Sequence, residues 1–349
     1  MRGTNWVTGS SSSAFMIGIP NYRGRWLSLG FAGLVLASVW AGNVFVAGLR
    51  AADKEKSGPD LGSNTSLHGY RPFPDDDPWN TPVDKLPVDG KSSVFIKSIS
   101  ADKPLHPDFG APYEGAPLGI PYVVVAGTQA KVPVSFEYAD ESDPGPYPIP
   151  PDAPIEGGPK ADPDGDRHVL VFDRDNEKLY EMFSASRAGK EWHAGSGAVF
   201  DLKNNKSRPE GWTSADAAGL PIFPGLVRYD EVMEQKEIRH ALRFTVKKSQ
   251  RAYVAPASHY ASESKDSSLP PMGLRVRLKA DYDISEFPEA AQVILRCLKT
   301  YGMILADNGG DWFISGAPDD RWDDETLGAI KRVKGSDLEV VKMGPLTTD

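Results

Sequence analysis

The stretch MGLRVRLKADYDI, residues 272–284, decides the predicted fold class because apolar and polar side chains alternate along its whole length. The apolar face carries Met272, Leu274, Val276, Leu278, Ala280, Tyr282 and Ile284, and the polar face carries Gly273, Arg275, Arg277, Lys279, Asp281 and Asp283. A sustained period of two is typical of an antiparallel β-strand with one face in water. The stretch therefore predicts a domain built on β-sheet.

Shorter runs on both sides extend this pattern. Strand-like segments lie at 94–96, 122–125, 132–138, 168–173, 178–183, 197–202 and 241–246. Turn residues at 173–176 and 307–310 predict hairpins, and helical spacing predicts helices over 287–298 and 326–333. The predicted fold class is α+β and β-dominated: a twisted antiparallel β-sandwich-like domain with a few peripheral helices near the C-terminus.

One segment imitates a nucleotide-binding loop. Residues 89–92, DGKS, match the end of a P-loop, but Lys85 stands where the first glycine is required. A P-loop also leads into a helix, whereas 94–96 (VFI) predicts a strand. The sequence thus argues against phosphate binding there.

The first fifty residues predict export. They carry four arginines and no acidic residue, and 26–49 contains no charge. A run of this length suffices to cross a bilayer, which takes about 20 residues. Residues 1–50 are therefore a cleavable signal peptide or an uncleaved signal anchor. Either alternative makes the protein secreted or membrane-anchored, with its domain outside the cytoplasm and membrane contact only through 26–49.

The remaining chain divides by composition. Residues 51–76 are polar and predict a disordered linker, and 77–349 predict a single exported β-rich domain. The net charge of −9 disfavours nucleic acid as a partner. Cys297 is the one cysteine, which excludes an internal disulfide, and its helical spacing predicts a buried helix residue.

Carboxylates and histidines recur among aromatic residues between 156 and 260. Acid–base chemistry on a glycan needs two carboxyl groups, or a base such as histidine in a lyase. The catalytic candidates are Glu156, Asp173, His193, Asp201, Asp216 and His240.

Aromatic and basic residues supply candidates for substrate binding. Aromatic faces stack on sugar rings, and arginines neutralise uronates. The substrate-binding candidates are Trp192, Trp212, Tyr229, Arg243, Arg275 and Arg277. Each also has an ordinary structural explanation, since large aromatics usually pack in cores and arginines cover exposed strand faces.

The acidic turn 162–166, DPDGD, predicts a Ca²⁺ site formed by Asp162, Asp164 and Asp166. An EF-hand is excluded because Arg167 stands where its glycine would follow. The alternative is a solvated acidic turn without metal.

These features together predict an exported carbohydrate-active protein, with a polysaccharide or glycan as its partner. Hydrolase and lyase chemistry both fit the residue set. The alternative is a non-catalytic module that binds a glycan or the cell envelope while tethered outside the membrane.

Five segments carry a resemblance to known proteins: 106–110 (HPDFG), 141–150 (ESDPGPYPIP), 154–158 (PIEGG), 211–222 (GWTSADAAGLPI) and 224–232 (PGLVRYDEV). They resemble a group of secreted bacterial proteins that have no assigned function. The resemblance covers about 77–343 and implies export and a single domain. It implies no catalytic residues.

Overall fold

Sixteen short strands and three α-helices lie in the described part of the chain. The structure is a computed structural model that describes residues 58–204 and 206–348, without the side chains of Lys160 and Ala188. The signal peptide or anchor predicted at 1–50 therefore lies outside the described residues. The helices are α1 (Ser92–Ile99), α2 (Glu289–Thr300) and α3 (Asp324–Gly328). The strands are β1 (Gly62–Ser63), β2 (His106–Asp108), β3 (Tyr122–Val125), β4 (Val134–Phe136), β5 (Val169–Asp173), β6 (Lys178–Phe183), β7 (Ser186–Ala188), β8 (Glu191–Ala194), β9 (Ser196–Asp201), β10 (Leu242–Val246), β11 (Tyr253–Val254), β12 (Arg275–Leu278), β13 (Met303–Asn308), β14 (Phe313–Ser315), β15 (Leu338–Val340) and β16 (Leu346–Thr347).

The chain is sheet-rich, with 25% strand and 16% helix, so the prediction of a β-dominated fold is confirmed. One sheet has five strands in the order β1-β3-β5-β6-β9, and another has six in the order β15-β12-β13-β10-β14-β2. Smaller sheets are formed by β4-β8-β7 and by β11-β16.

The sheets are mixed rather than antiparallel as predicted. Strand β10 runs parallel to β13 and antiparallel to β14, and β3 runs parallel to β5. The expected hairpin over 303–315 is wrong, because β10 lies between β13 and β14 and pairs with both. The hairpin over 168–183 is confirmed, since β5 and β6 pair antiparallel around the turn.

The long strand expected at 272–284 shortens to β12, residues Arg275–Leu278. Gly273 adopts a positive φ of 80°, and a Cβ there would lie 2.0 Å from the Val254 carbonyl oxygen. After β12 the chain turns, and the Tyr282 N–H donates to the Lys279 carbonyl at 3.2 Å. Both faces are covered there, because Arg277 is also buried, at 8% exposed.

The strand predicted at 94–96 is wrong, because these residues lie within α1. Phe95, Ile96 and Ile99 are buried on one helical face, and three β-prone residues in a row did not outweigh that spacing. A helix therefore does follow 89–92, and only Lys85 at the first glycine position still argues against a P-loop.

Residues 58–76 are packed parts of the domain rather than linker. Strand β1 pairs with β3, and Leu67 is 1% exposed. The Leu67 N–H donates to Asp230 Oδ2 at 2.8 Å. Specific hydrogen bonds of this kind hold the segment in the domain although its composition is polar.

Three apolar clusters form the core. The largest packs α2 and the six-stranded sheet together and includes Cys297, which is buried in α2 as predicted. A second cluster lies on one face of the five-stranded sheet, and a third lies between that sheet and the loop 147–155. Among the described residues, none of the helices combines the length and apolar character that a membrane span requires.

Candidate functional site

Arg243 on β10 is the centre of a buried charged cluster. Its Nε and Nη2 donate to the two carboxylate oxygens of Asp216 at 2.7 and 2.8 Å, and both side chains are almost fully buried. Nη1 donates to Ser315 Oγ on β14 at 2.6 Å, and Nη2 lies 3.4 Å from Asp307 Oδ2 on β13. The guanidinium thus binds groups from a loop and two neighbouring strands.

The loop around Asp216 is held by its own polar groups. Ser214 Oγ donates to the Leu220 carbonyl at 2.6 Å, and the Asp216 N–H donates to Ser214 Oγ at 2.9 Å. The Ala218 N–H donates to the Ala306 carbonyl at 2.9 Å, which ties the loop to β13. These hydrogen bonds order a loop of small residues that has no periodic pattern, and they fix the position of the Asp216 carboxylate.

Glu156 and His168 form a second pair in this cluster. His168 Nδ1 lies 2.6 Å from Glu156 Oε2, and Nε2 lies 3.0 Å from the Ala215 carbonyl oxygen. Because the carbonyl only accepts, Nε2 carries a proton, and the short contact to a carboxylate requires a proton on Nδ1 as well. Burial alone lowers the pKa of His168, but the adjacent Glu156 outweighs it and raises that pKa to about 9. Burial raises the pKa of Glu156, and the imidazolium and its hydrogen bonds outweigh this and lower it.

The pKa values of Asp307 and Asp108 are raised, whereas that of Glu156 is lowered. Burial, together with the Asp216 charge, raises the pKa of Asp307 to about 7 although Arg243 acts against the rise. Asp108 ends β2 beside Ser315, and desolvation by its surroundings raises its pKa while the charge of nearby Glu156 adds to the rise. The cluster thus holds carboxyl groups whose pKa values are displaced in both directions.

The cluster reaches solvent through its carboxylates. The side chains of Glu156 and Asp307 are 26% and 23% exposed, and Asp108 and Asp166 are exposed. Arg243, Asp216 and His168 lie beneath them and are not accessible. A carboxyl group that solvent can reach is able to exchange a proton with a molecule bound beside it.

Glu181 on β6 is a further buried carboxyl group. It accepts hydrogen bonds from the Ile222 and Phe223 N–H groups at 2.9 Å and is fully buried. Burial raises its pKa to about 7, with the nearby Asp216 adding to the rise and the two N–H groups opposing it. It supports the segment that follows the Asp216 loop.

One set of residues could hold a metal ion. Glu156, Asp166 and His168 each offer one ligand atom, and these atoms lie within 4.8 Å of one another. To share an ion, Glu156 Oε2 and His168 Nδ1 would have to move apart from their hydrogen-bonding distance, because ligand bonds are about 2.0–2.2 Å each. Of the predicted Ca²⁺ ligands only Asp166 belongs to this set. Asp162 and Asp164 are exposed, and Asp162 caps the turn by accepting from the Asp164 N–H at 3.0 Å.

Other predicted catalytic residues lie in separate local networks. Asp173 accepts from Asn176 Nδ2 at 2.7 Å within its turn, and Asp201 accepts from the Lys203 N–H at 3.1 Å. His193 is exposed and hydrogen-bonded to Ser135 on β4. His240 is buried and lies 3.1 Å from Glu231 Oε1.

The predicted stacking residues all have structural partners. Trp192 is 3% exposed in the third apolar cluster. Trp212 faces the Arg208 guanidinium 5.4 Å away, and Tyr229 packs edge-on against Trp322.

Arg275 and Arg277 hydrogen-bond to main-chain carbonyl groups of the segment that precedes α1. Arg275 Nη1 donates to the Pro78 carbonyl at 2.7 Å, and Arg277 Nη1 donates to the Leu86 carbonyl at 2.8 Å. Arg277 Nε also donates to Glu339 Oε1 at 2.8 Å. Both guanidinium groups are therefore engaged by the protein itself.

The structure brings together Glu156, Asp216 and Arg243 of the predicted site, with Asp166 beside them. Sequence reasoning missed Asp108, His168, Glu181, Asp307 and Ser315 as members of the cluster. Asp307 and Asp108 stand at strand ends, which is the one local signal that could have pointed to them.

Comparison with known proteins adds no assignment: no family model, no curated protein and no solved structure matches this chain.

Proposed function

We propose that this protein is an exported polysaccharide hydrolase whose active site is the cluster around Arg243. One observation carries the proposal: two accessible carboxyl groups within the electrostatic reach of the Arg243 guanidinium have pKa values displaced in opposite directions, upward for Asp307 and downward for Glu156. Pairs of carboxyl groups separated in this way divide the acid and base roles in glycoside hydrolysis.

In this mechanism Asp307 is the general acid. With a pKa of about 7, roughly half of the Asp307 carboxyl groups carry a proton at pH 7, and this proton can be donated to the leaving glycosidic oxygen. Glu156 stays ionised because His168 holds it as a carboxylate, so it supplies the negative charge that activates water or stabilises a cationic sugar. Asp216 fixes Arg243, whose positive charge acts to lower the pKa of both carboxyl groups.

A lyase is less well supported than a hydrolase. A lyase needs a basic group free to neutralise the substrate carboxylate, and Arg243 is already bound in bidentate fashion by Asp216. Arg275 and Arg277 donate to main-chain carbonyl groups. His193, a base candidate, lies on the β4-β8-β7 sheet, and its hydrogen bond goes to Ser135.

The proposal includes two further expectations from the sequence. The five- and six-stranded sheets pack in a sandwich-like arrangement, an idea supported by Phe73, which packs against the apolar clusters of both. The charge-free run 26–49 supports export and a site that works outside the cytoplasm.

Replacing Asp307 with asparagine should lower hydrolysis by about 10²–10⁴-fold, because a general acid contributes about that much and the amide cannot donate a proton in its place. The purified full-length protein and D307N are incubated with a panel of neutral and uronate polysaccharides. New reducing ends and the ultraviolet absorbance of unsaturated uronates are recorded in the same wells. The exposed Asp281→Asn is the matched control and should retain full activity.

The two signals separate the alternatives. Reducing ends without absorbance support hydrolysis, and both signals together would establish a lyase instead. Absence of both, with the protein retained on an insoluble glycan, would contradict the proposal and identify a binding module.

The pH profile gives an independent test of the acid. Activity that depends on protonated Asp307 should fall about tenfold for each pH unit above about 7, because the fraction carrying the proton falls in that proportion. The initial rate of reducing-end release is measured from pH 5 to 9 under conditions in which the protein stays folded. A rate that keeps rising through pH 8 would exclude Asp307 as the proton donor.

A further inference from the structure

A polar cavity separate from the Arg243 cluster lies at the ends of β10 and β13. It has a volume of about 430 Å³ and is lined mainly by lysine, serine and asparagine side chains. Lys247, Lys248 and Ser249 follow directly after β10, and Asn308 ends β13. Because β10 and β13 run parallel, with Val246 opposite Asn308, both sets of residues lie at the same end of the sheet.

Two buried polar atoms of the cavity wall have no hydrogen-bond partner among the described residues: Ser249 Oγ and Asn308 Oδ1. Ser249 is only 1% exposed. Asn308 is oriented by its other amide atom, since Nδ2 donates to the Ala261 carbonyl at 3.0 Å. Buried polar atoms are almost always paired, so a ligand that opens the cavity wall could pair with these two if it accepts from a hydroxyl and donates to an amide oxygen.

The charge at the cavity favours an anion. The lining includes two exposed cations, Lys247 and Lys248, against one acid, Asp266. One oxygen of that acid, Asp266 Oδ1, accepts from the Ser268 N–H at 2.9 Å and from the Ser268 hydroxyl at 2.7 Å. A further acid, Asp311, accepts from the Lys247 N–H at 2.8 Å, but its carboxylate is also paired with Lys103 Nζ at 2.6 Å. The two lining lysines therefore keep the local balance positive in a protein whose net charge is −9.

An inorganic anion would not meet both requirements. Sulfate accepts hydrogen bonds but has no donor for Asn308 Oδ1, whereas a sugar ring offers hydroxyl groups that both donate and accept. A sugar that also carries a carboxylate or a sulfate ester would satisfy the two buried atoms and the two lysines together.

The cavity is connected with the proposed acid through consecutive residues. The Asn308 N–H donates to Asp307 Oδ1 at 2.7 Å, so the residue that lines the cavity also fixes the carboxyl group of its neighbour. Strand β10 likewise carries Arg243 and leads into Lys247.

We propose that this cavity binds an anionic sugar unit, bearing a carboxylate or a sulfate, and thereby selects an acidic polysaccharide as substrate. This inference rests on the proposed hydrolase function for its biological meaning, but the binding itself is independent of cleavage.

The test measures binding by isothermal titration calorimetry on the full-length protein. The probes are glucuronate, glucose 6-sulfate, unmodified glucose and inorganic sulfate. We expect glucuronate or glucose 6-sulfate to bind about tenfold more tightly than glucose, with the tighter of the two identifying the anionic group. The double variant K247Q/K248Q should lose about that tenfold because it removes both charges, and S249A should also weaken binding. The control K97Q/K331Q changes two exposed lysines elsewhere and should bind as the unaltered protein does.

Several outcomes would overturn the inference: equal affinity for glucose and glucuronate, inorganic sulfate binding as well as the sugars, or unchanged affinity in K247Q/K248Q. D307N separates this inference from the proposed function, because it should bind the anionic sugar normally. Normal sugar binding by a D307N protein that still cleaves polysaccharide would refute Asp307 as the acid and leave the binding site established.

Discussion

Replacing Asp216 with alanine should lower the free energy of unfolding by about 3–5 kcal/mol, because it leaves the buried guanidinium of Arg243 without its countercharge. The two hydrogen bonds at 2.7 and 2.8 Å disappear together with the charge. Ser315 and the more distant Asp307 remain, and neither replaces a bidentate carboxylate. Urea unfolding followed by tryptophan fluorescence measures the change.

The double variant D216A/R243M tests whether the unpaired charge of Arg243 causes the loss of stability in D216A. Removing the cation together with the anion eliminates the uncompensated charge, so the double variant should recover much of the stability that D216A loses. The exposed D281A should change the unfolding free energy by no more than about 0.5 kcal/mol. A loss below about 1 kcal/mol in D216A would show that Arg243 reaches solvent when its partner is removed.

The second large effect is a decline in stability as pH rises from about 5 to 9. The pKa of Glu181 is raised from 4.5 to about 7, so its folded-state proton contributes stability that is complete below pH 4.5 and lost as pH rises through about 7. The pKa of His168 is raised from 6.5 to about 9, so its contribution is complete below pH 6.5 and lost as pH rises through about 9. Glu156 has the opposite sign, since its lowered pKa adds stability above its ordinary value of 4.5 that is lost at lower pH. The unfolding free energy should therefore be greatest near pH 5.

The variant Glu181→Gln isolates the contribution of Glu181 to the pH dependence of the unfolding free energy. Glutamine resembles the protonated carboxyl group, so the variant should lose the share of the decline between pH 5 and 7 that belongs to Glu181, about 2 kcal/mol. Urea unfolding at pH 5, 7 and 9 measures it, with the exposed E286Q as the matched control. The same slope in E181Q and the unaltered protein would mean that Glu181 is ionised in the fold throughout this range.

These two experiments bear on function as well as on stability. Glu181 and Asp307 are expected to lower the stability of the fold at neutral and alkaline pH, because desolvation opposes the ionisation of both carboxyl groups. A hydrolase that uses Asp307 as its acid would work best where that carboxyl group still holds its proton, which is also where the fold is more stable.

Local patterns determined the features that depend on a few consecutive residues. The alternation and turn residues at 168–183 are sufficient to specify the β5–β6 hairpin, because its two strands are neighbours in sequence. The helical spacing over 287–298 specified α2 and the burial of Cys297. The sequence also identified Glu156, Asp216 and Arg243 as candidate site residues, because charged residues near aromatic residues in a β-rich chain can be recognised without a structure.

Only the tertiary structure decided which strands pair and which charges meet. Strands of two to six residues carry too little pattern to specify a partner, so the insertion of β10 between β13 and β14 followed from long-range packing alone. That insertion places Arg243 beside Ser315 and Asp307, residues more than sixty positions away. The His168–Glu156 pair and the raised pKa of Asp307 arise in the same way, because burial and charge proximity are properties of the folded cluster and not of any segment. The sequence by itself determined the residues available for chemistry, and the fold determined which of them share a site.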